Sequence, residues 1–134
     1  MQITRQADYA VRAVHYLAQL DPDQRAATSQ IAQDQRIPPS FLAKIVSQLS
    51  VAGLLQTSRG ARGGVSLARS PEEISLLDVV EAIDGPILLN ECVGVSGSSC
   101  NFGDDCPMRP VWCEAQAELV TRLKNTSFAH PSQS

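Results

Sequence analysis

Three of the four cysteines in this chain lie in one short segment, and their spacing indicates a metal centre. Cys92, Cys100 and Cys106 fall in "ECVGVSGSSCNFGDDC", residues 91–106, with gaps of seven and then five residues. Glycine, serine and acidic residues surround them, so the thiols have little of the apolar cover that free cysteines usually prefer. Thiolates are the usual ligands of iron–sulfur clusters, and three converging thiolates leave one ligand position to fill.

Other chemistry stays open for this segment. Zinc could bind here, although the CxxC pairs typical of structural zinc sites are missing. The CxxC run of ferredoxins is missing too, although Cys106 and Pro107 are similar to a ferredoxin end. Reversible thiol oxidation is a third interpretation. The fourth cysteine, Cys113, is the obvious additional ligand by its chemistry, but it lies beyond Pro107 and Pro110, just inside the last predicted helix, where a dimer interface could take it instead.

Composition limits the kind of protein that can carry this segment. A chain of 134 residues forms one ordinary domain. It has no apolar run long enough to span a membrane, and "MQITRQADYAVRAV" lacks the apolar core of a signal peptide. We therefore expect a cytoplasmic protein with no membrane partner. Catalysis is not predicted, because the chain offers no paired acid and base, no nucleophile with a histidine and no phosphate loop.

The charge of the chain is distributed unevenly between its two halves. Residues 1–70 contain eight Lys/Arg and four Asp/Glu, and residues 71–134 contain three and ten, which together give the net charge of -3. A basic first half and an acidic second half favour a local nucleic-acid surface.

The first half shows the pattern of a winged helix-turn-helix. Apolar spacing predicts helices over about 4–20, 29–35 and 40–52, with Thr28 or Ser29 as the cap of the second. Two short strands, 54–58 and 64–68, then flank a Gly-rich turn with two arginines. In this arrangement the second helix of the pair enters the major groove and the hairpin wing reaches phosphates or the minor groove. The predicted DNA-binding residues are Ser40, Phe41, Lys44, Gln48, Arg59, Gly60 and Arg62.

The second half is predicted to carry the cysteines and to form a dimer. Residues 71–110 comprise a linking helix, ending at Gly85, and the cysteine-rich loop. Residues 111–128 form a long helix whose apolar positions need cover, and pairing between two copies of the chain provides it. Residues 129–134 are predicted to be a disordered tail. The fold class is thus mainly α with a small β-hairpin wing and a long C-terminal dimerisation helix.

Several stretches together resemble the winged-helix iron–sulfur transcription regulators that include IscR, NsrR and RirA. The resemblance runs from Met1 to about Phe128 and implies a homodimer that binds a palindromic double-stranded DNA operator, most simply as a repressor. The stretches that carry it are "ITRQADYAVRAVHYLA", "IPPSFLAKIVSQLSVAGLLQTSRGARGGVSLA", "DVVEAIDG" and "CPMRPVWCEAQAEL".

The same resemblance implies a ligand set for a 2Fe–2S or 4Fe–4S cluster that senses iron, redox state or nitric oxide. Cys92, Cys100 and Cys106 match the three cysteine ligands, and Asp8 matches an aspartate that completes the cluster across the dimer in NsrR-type members. Arg109 stands where IscR-type members have a histidine ligand. Cys113 remains an alternative fourth ligand and His15 a more distant one.

Overall fold

A computed structural model describes residues 3–21, 24–58, 63–88 and 107–129 of the chain. Within these ranges the fold is mainly helical with one two-stranded antiparallel hairpin, as predicted. No helix of the described ranges is long and apolar enough to cross a lipid bilayer. The elements are α1 (Arg5–Ala18), α2 (Thr28–Gln35), α3 (Pro39–Val51), β1 (Leu55–Ser58), β2 (Gly64–Leu67), a 3-10 turn (Pro71–Glu73), α4 (Leu76–Asp84) and α5 (Arg109–Lys124).

Helix α1 lies at the centre of the fold. Its N-cap is Thr4, whose hydroxyl accepts a hydrogen bond from the Ala7 N–H at 3.1 Å. The buried face consists largely of small side chains, which allow α3 and α4 to approach closely. Its members are Ala7, Ala10, Ala13, Val14 and Leu17.

Helices α2 and α3 form the predicted helix-turn-helix. The turn begins at Arg36, which is the only non-glycine residue of the described ranges with a positive φ, 54°. Ile37 then enters the core, and Pro39 occupies the first turn of α3, where its missing N–H costs no hydrogen bond. The prediction of Thr28 or Ser29 as the cap of α2 was wrong: the cap position is Ala27, and no side chain caps the helix.

The wing hairpin is extended by a single pairing to the segment before α2. In the hairpin, Leu55 pairs with Leu67 and Ser58 with Gly64. Ala26 and Val65 exchange two backbone hydrogen bonds of 3.0 and 2.8 Å, so the chain passes from this sheet edge directly into α2. A side chain at position 64 would come within 2.8 Å of the Ala26 carbonyl oxygen, which explains the glycine there.

The second half consists of α4 and α5, which differ in how they are held. Ser75 and Asp78 form a capping box at the start of α4, and Gly85 ends that helix with a φ of 79°. Helix α5 has no buried residue. The residues that follow α5 nevertheless return to the core: the Leu76 N–H, at the start of α4, donates to the Thr126 carbonyl at 2.8 Å, and Phe128 is buried in the core cluster.

Candidate nucleic-acid interface and the ligand-bearing helix

Helix α3 presents a polar face opposite its buried stripe. Leu42, Ile45, Val46 and Leu49 lie in the core, which fixes the rotation of the helix. Ser40 and Lys44 are then exposed, one helical turn apart on the same face. A lysine and a hydroxyl on the outer face of this helix can contact phosphate oxygens or base edges.

Two other α3 residues predicted to contact DNA have partners or orientations that the sequence did not indicate. Phe41 is 42% exposed, and its ring also contacts Tyr9 of α1. Gln48 is half-buried, and its side-chain oxygen is buried without a hydrogen-bond partner in the described part of the chain. Its contact with DNA stays a prediction.

The wing tip and the three clustered cysteines lie outside the described residues. This applies to Arg59, Gly60 and Arg62 as well as to Cys92, Cys100 and Cys106. The structure does place the two strands that lead to and from the tip, directly after α3. The described residues alone contain no group of three His, Cys, Asp or Glu side chains arranged to hold a metal ion.

Asp8 lies on the exposed face of α1, in its first turn. Its Oδ2 atom is 3.1 Å from the Nε atom of Arg12, one turn further along, and both side chains are about half exposed, at 53% and 51%. His15 continues this face by another turn. Arg12 and His15 border an open cavity of about 280 Å³. Val11, Gln35 and Phe128 also line it.

Cys113 lies on the exposed surface of α5. Its neighbour Trp112 is 39% exposed, and Met108 and Val111 are also exposed. An unburied thiol among exposed apolar side chains is accessible both to oxidants and to a second protein surface.

Polar contacts that the sequence did not predict tie α1 to its neighbours. The Tyr16 hydroxyl donates to Asp34 at 2.8 Å, and Gln30 donates to the same carboxylate at 2.8 Å. The hydrogen bonds from Gln30 and Tyr16 hold the pKa of Asp34 below its ordinary value, and the bond to Asp34 raises the pKa of Tyr16.

A second contact joins the N-terminus of α1 to the end of α4. The Thr4 hydroxyl donates to Asp84 Oδ1 at 2.6 Å and the Thr4 N–H donates to Asp84 Oδ2 at 3.2 Å. Because 80 residues separate the partners, no local sequence signal could have shown this pairing.

Comparison with known proteins agrees with this architecture. The family described as Rrf2, iron-dependent transcriptional regulator, matches residues 3–131. The chain belongs to the Rrf2 family. Rrf2 proteins are DNA-binding transcriptional regulators and not enzymes, which confirms the function class and the family resemblance seen in the sequence.

Individual Rrf2 relatives resemble the chain over most of its length. It is 33% identical over 124 residues to the HTH-type transcriptional regulator NsrR of Shouchella clausii, covering 92% of this chain and 83% of that one. CymR, the global cysteine regulator of B. subtilis, superimposes with a TM-score of 0.83 at 25% identity, covering 100% of this chain and 98% of that one. IscR of T. potens gives a TM-score of 0.72 at 25% identity, covering 96% and 84%.

Proposed function

We propose that this Rrf2 protein is a homodimeric repressor whose affinity for a palindromic operator is controlled by an iron–sulfur cluster. Cys92, Cys100 and Cys106 supply three ligands and Asp8 the fourth, across the dimer, with Cys113 as the alternative. Three thiolates and one carboxylate suit such a cluster, and the carboxylate, as the harder and weaker ligand, makes the site reactive. The cluster would supply sensitivity to iron, redox state or nitric oxide.

The observation that carries this proposal is the placement of Asp8. Its carboxylate is exposed on the helix that packs against α3, so a ligand bound there lies close to the DNA-binding unit. The ion pair with Arg12 is solvent-exposed on both sides, and exposed pairs contribute only about 0–1 kcal/mol. The ion pair with Arg12 therefore leaves Asp8 accessible and does not prevent it from binding a metal.

Helix α5 supports the dimeric state. None of its residues is buried within one chain, while Met108, Val111 and Trp112 expose apolar surface at its N-terminal end. Pairing of two such helices would cover this surface. The expected half-site separation is one DNA turn, about 34–36 Å, or a multiple of it.

The DNA-binding residues are assigned from α3 and the wing. Ser40, Lys44 and Gln48, with Phe41 beside them, are proposed to face the major groove, and Arg59, Gly60 and Arg62 form the wing tip. Arg59 is proposed to enter the minor groove, whereas Lys44 and Arg62 bind phosphates.

The first experiment measures iron and acid-labile sulfide per chain in protein purified without oxygen. Equal iron and sulfide in the wild type, and none in Cys92→Ala, would support the cluster. Asp8→Ala should lower the iron content further than Asp21→Ala, a change at another exposed aspartate outside α1. Iron retained in Asp8→Ala but lost in Cys113→Ala would assign the fourth ligand to Cys113.

The second experiment measures control of DNA binding. Fluorescence anisotropy compares cluster-bound and cluster-free protein on a duplex selected from random DNA by the wild type. Equal affinities would exclude cluster control. Arg59→Ala should weaken binding by about 1–3 kcal/mol, and an unchanged binding curve would show that the wing lies elsewhere.

The phosphate contact is tested through salt dependence. Lys44→Ala should lower the slope of log K against log salt by about one. Lys124→Ala, which removes an exposed lysine of α5 instead, should leave the slope unchanged. Equal slopes for all three proteins would place α3 away from the DNA backbone.

A thiol-based or zinc-based regulator without an iron–sulfur cluster is the second candidate. The structural likeness to CymR, named as a global cysteine regulator, and the exposed thiol of Cys113 favour it. Absence of both iron and sulfide, together with an oxidant-dependent change in operator affinity that Cys113→Ser removes, would support this function over the first.

A further inference from the structure

The Phe41 ring, placed at the start of the proposed recognition helix, contacts α1 of the same chain. The centroids of the Tyr9 and Phe41 rings are 6.2 Å apart with an interplanar angle of 44°. This lies within the range in which aromatic pairs attract one another beyond simple burial. Phe41 is therefore held from the side and does not extend freely from α3.

Within the described part of the chain, the first three positions from Pro38 onward place no side chain in the core. The residue at its N-cap, Pro38, provides no side-chain hydrogen bond, and Pro38, Pro39 and Ser40 are all exposed. Leu42 is the first residue of the helix to enter the core. In helix-turn-helix proteins the N-terminal residues of the recognition helix contact base edges, so small shifts of this turn change the fit to DNA.

The position of Tyr9 is fixed by α1, which is held by its buried face and by its N-terminus. Ala7 and Ala10, on either side of Tyr9, are fully buried. Five residues before Tyr9, the Thr4 N–H and hydroxyl both bind the Asp84 carboxylate. The N-terminus of α1 is thus fixed to the last residue of α4, immediately before Gly85 and the segment that leads to Cys92.

We propose that Tyr9 is a positioning residue for DNA recognition, and that Asp84 sets its position by holding the N-terminus of α1. Tyr9 acts through Phe41 on the first turn of α3, and Asp84 connects this turn to the start of the cysteine-rich segment. The inference rests on the assignment of α3 as the DNA-reading helix, but it does not depend on an iron–sulfur cluster.

The test compares a sequence-specific duplex with a scrambled one. The specific duplex is selected from random DNA by the wild-type dimer, in whichever oxidation and metal state binds it more tightly. Tyr9→Leu should weaken binding to the selected duplex about two- to tenfold, the range expected for loss of an aromatic pair. Binding to the scrambled duplex, which depends mainly on phosphates, should stay unchanged. Tyr9→Phe keeps the ring and should bind like the wild type.

A double-mutant cycle separates positioning from general damage. Tyr9→Leu and Phe41→Leu combined should weaken binding less than the product of the two single effects, because both remove the same contact. Thr4→Val and Asp84→Ala should each give a smaller loss of the same kind. Glu81→Ala, at an exposed position of α4, is the matched control and should have no effect.

The proposal is overturned by fully multiplicative effects of Tyr9→Leu and Phe41→Leu, or by equal losses on the selected and scrambled duplexes. If Tyr9→Leu lowers the helix content seen by circular dichroism, the comparison of Asp84→Ala with Glu81→Ala on the two duplexes decides instead, because both positions are exposed and only Asp84 binds Thr4. Failure of the recognition-helix assignment would appear separately, as a Lys44→Ala salt slope equal to that of Lys124→Ala. Failure of cluster control would appear as equal affinities of the two cluster states.

Discussion

Helices α1 and α5 are similar in length but differ in how many of their residues are buried. Helix α1 has 14 residues and buries five of them, whereas α5 has 16 residues and buries none. Helix α1 contacts α2, α3 and α4 of its own chain, while α5 packs along α4 and is fixed at its end by residues 126–128. The side chain of Gln116 also donates to the Ile87 carbonyl.

This difference in burial suits α1 to folding within one chain and α5 to association between chains. A helix held by its own core can present Asp8 and Tyr9 at fixed positions, because most of its stability is independent of any partner. A helix with an exposed apolar end, such as α5, is stabilised to a similar extent only when a second protein surface covers that end. The DNA-binding half should therefore fold within each chain, and α5 should respond mainly to association.

The largest expected effect is loss of a core side chain from α1. Leu17 is 4% exposed, so Leu17→Ala should lower the free energy of unfolding by about 2–5 kcal/mol. Val111→Ala on α5, at a position that is 50% exposed, should change it by less than about 0.5 kcal/mol in protein diluted to monomer. Urea denaturation of both variants measures this contrast, and equal losses would contradict the division between the two helices.

The next effect concerns association through α5. A tryptophan at the centre of an interface commonly contributes about 2 kcal/mol or more, so Trp112→Ala should weaken dimerisation about 30-fold. Val51→Ala, at an 88% exposed valine of α3, should leave dimerisation unchanged. Sedimentation equilibrium measures both dissociation constants. A wild-type protein that is monomeric at high micromolar concentration would refute the proposed role of α5.

Elements with strong apolar periodicity were predictable from the sequence. The prediction of a helix over 4–20 corresponds to Arg5–Ala18, and 40–52 corresponds to Pro39–Val51, because residues three and four apart form the buried stripe. The strands 54–58 and 64–68 match Leu55–Ser58 and Gly64–Leu67 equally well.

Features that depend on distant pairing were not predictable. The prediction of the last helix over 111–128 placed its end too late. The helix ends at Lys124, because Thr126 accepts a hydrogen bond from Leu76 at the start of α4 and Phe128 donates to Ile74 just before it. The start of α2 depends on the pairing of Ala26 with Val65, a one-residue bridge that leaves no alternating pattern in the sequence. The Thr4–Asp84 and Tyr9–Phe41 contacts join residues whose proximity only the folded chain creates.

A smaller effect on the free energy of unfolding is expected from the strained backbone at Arg36. Arg36 adopts the left-handed conformation, with φ 54° and ψ 46°, which disfavours a residue with a Cβ atom by about 1–2 kcal/mol. Arg36→Gly should raise the free energy of unfolding by up to about 1 kcal/mol, because glycine removes this cost but adds entropy to the unfolded chain. Arg36→Ala keeps the Cβ atom and should give no gain. Thermal unfolding distinguishes the two, and equal behaviour would point to the charge of Arg36.

The smallest effect is a pH dependence that comes from the tie between α1 and α2. Since the folded pKa of Asp34 lies below its ordinary value of 3.8, this carboxylate stabilises the fold above that pH, and the contribution is lost as pH falls. The raised pKa of Tyr16 acts at alkaline pH. The stabilisation from its hydroxyl is complete below the ordinary tyrosine pKa of 10.0 and is lost as the pH rises past the pKa of Tyr16 in the folded protein. Tyr16→Phe should therefore reduce the fall in the free energy of unfolding both towards acidic pH and towards alkaline pH. Tyr9→Phe should leave both falls unchanged. If the stability of Tyr16→Phe fell as much as that of the wild type, both from neutral pH to pH 3 and from neutral pH to pH 11, the hydrogen bond to Asp34 would be too exposed to hold α1.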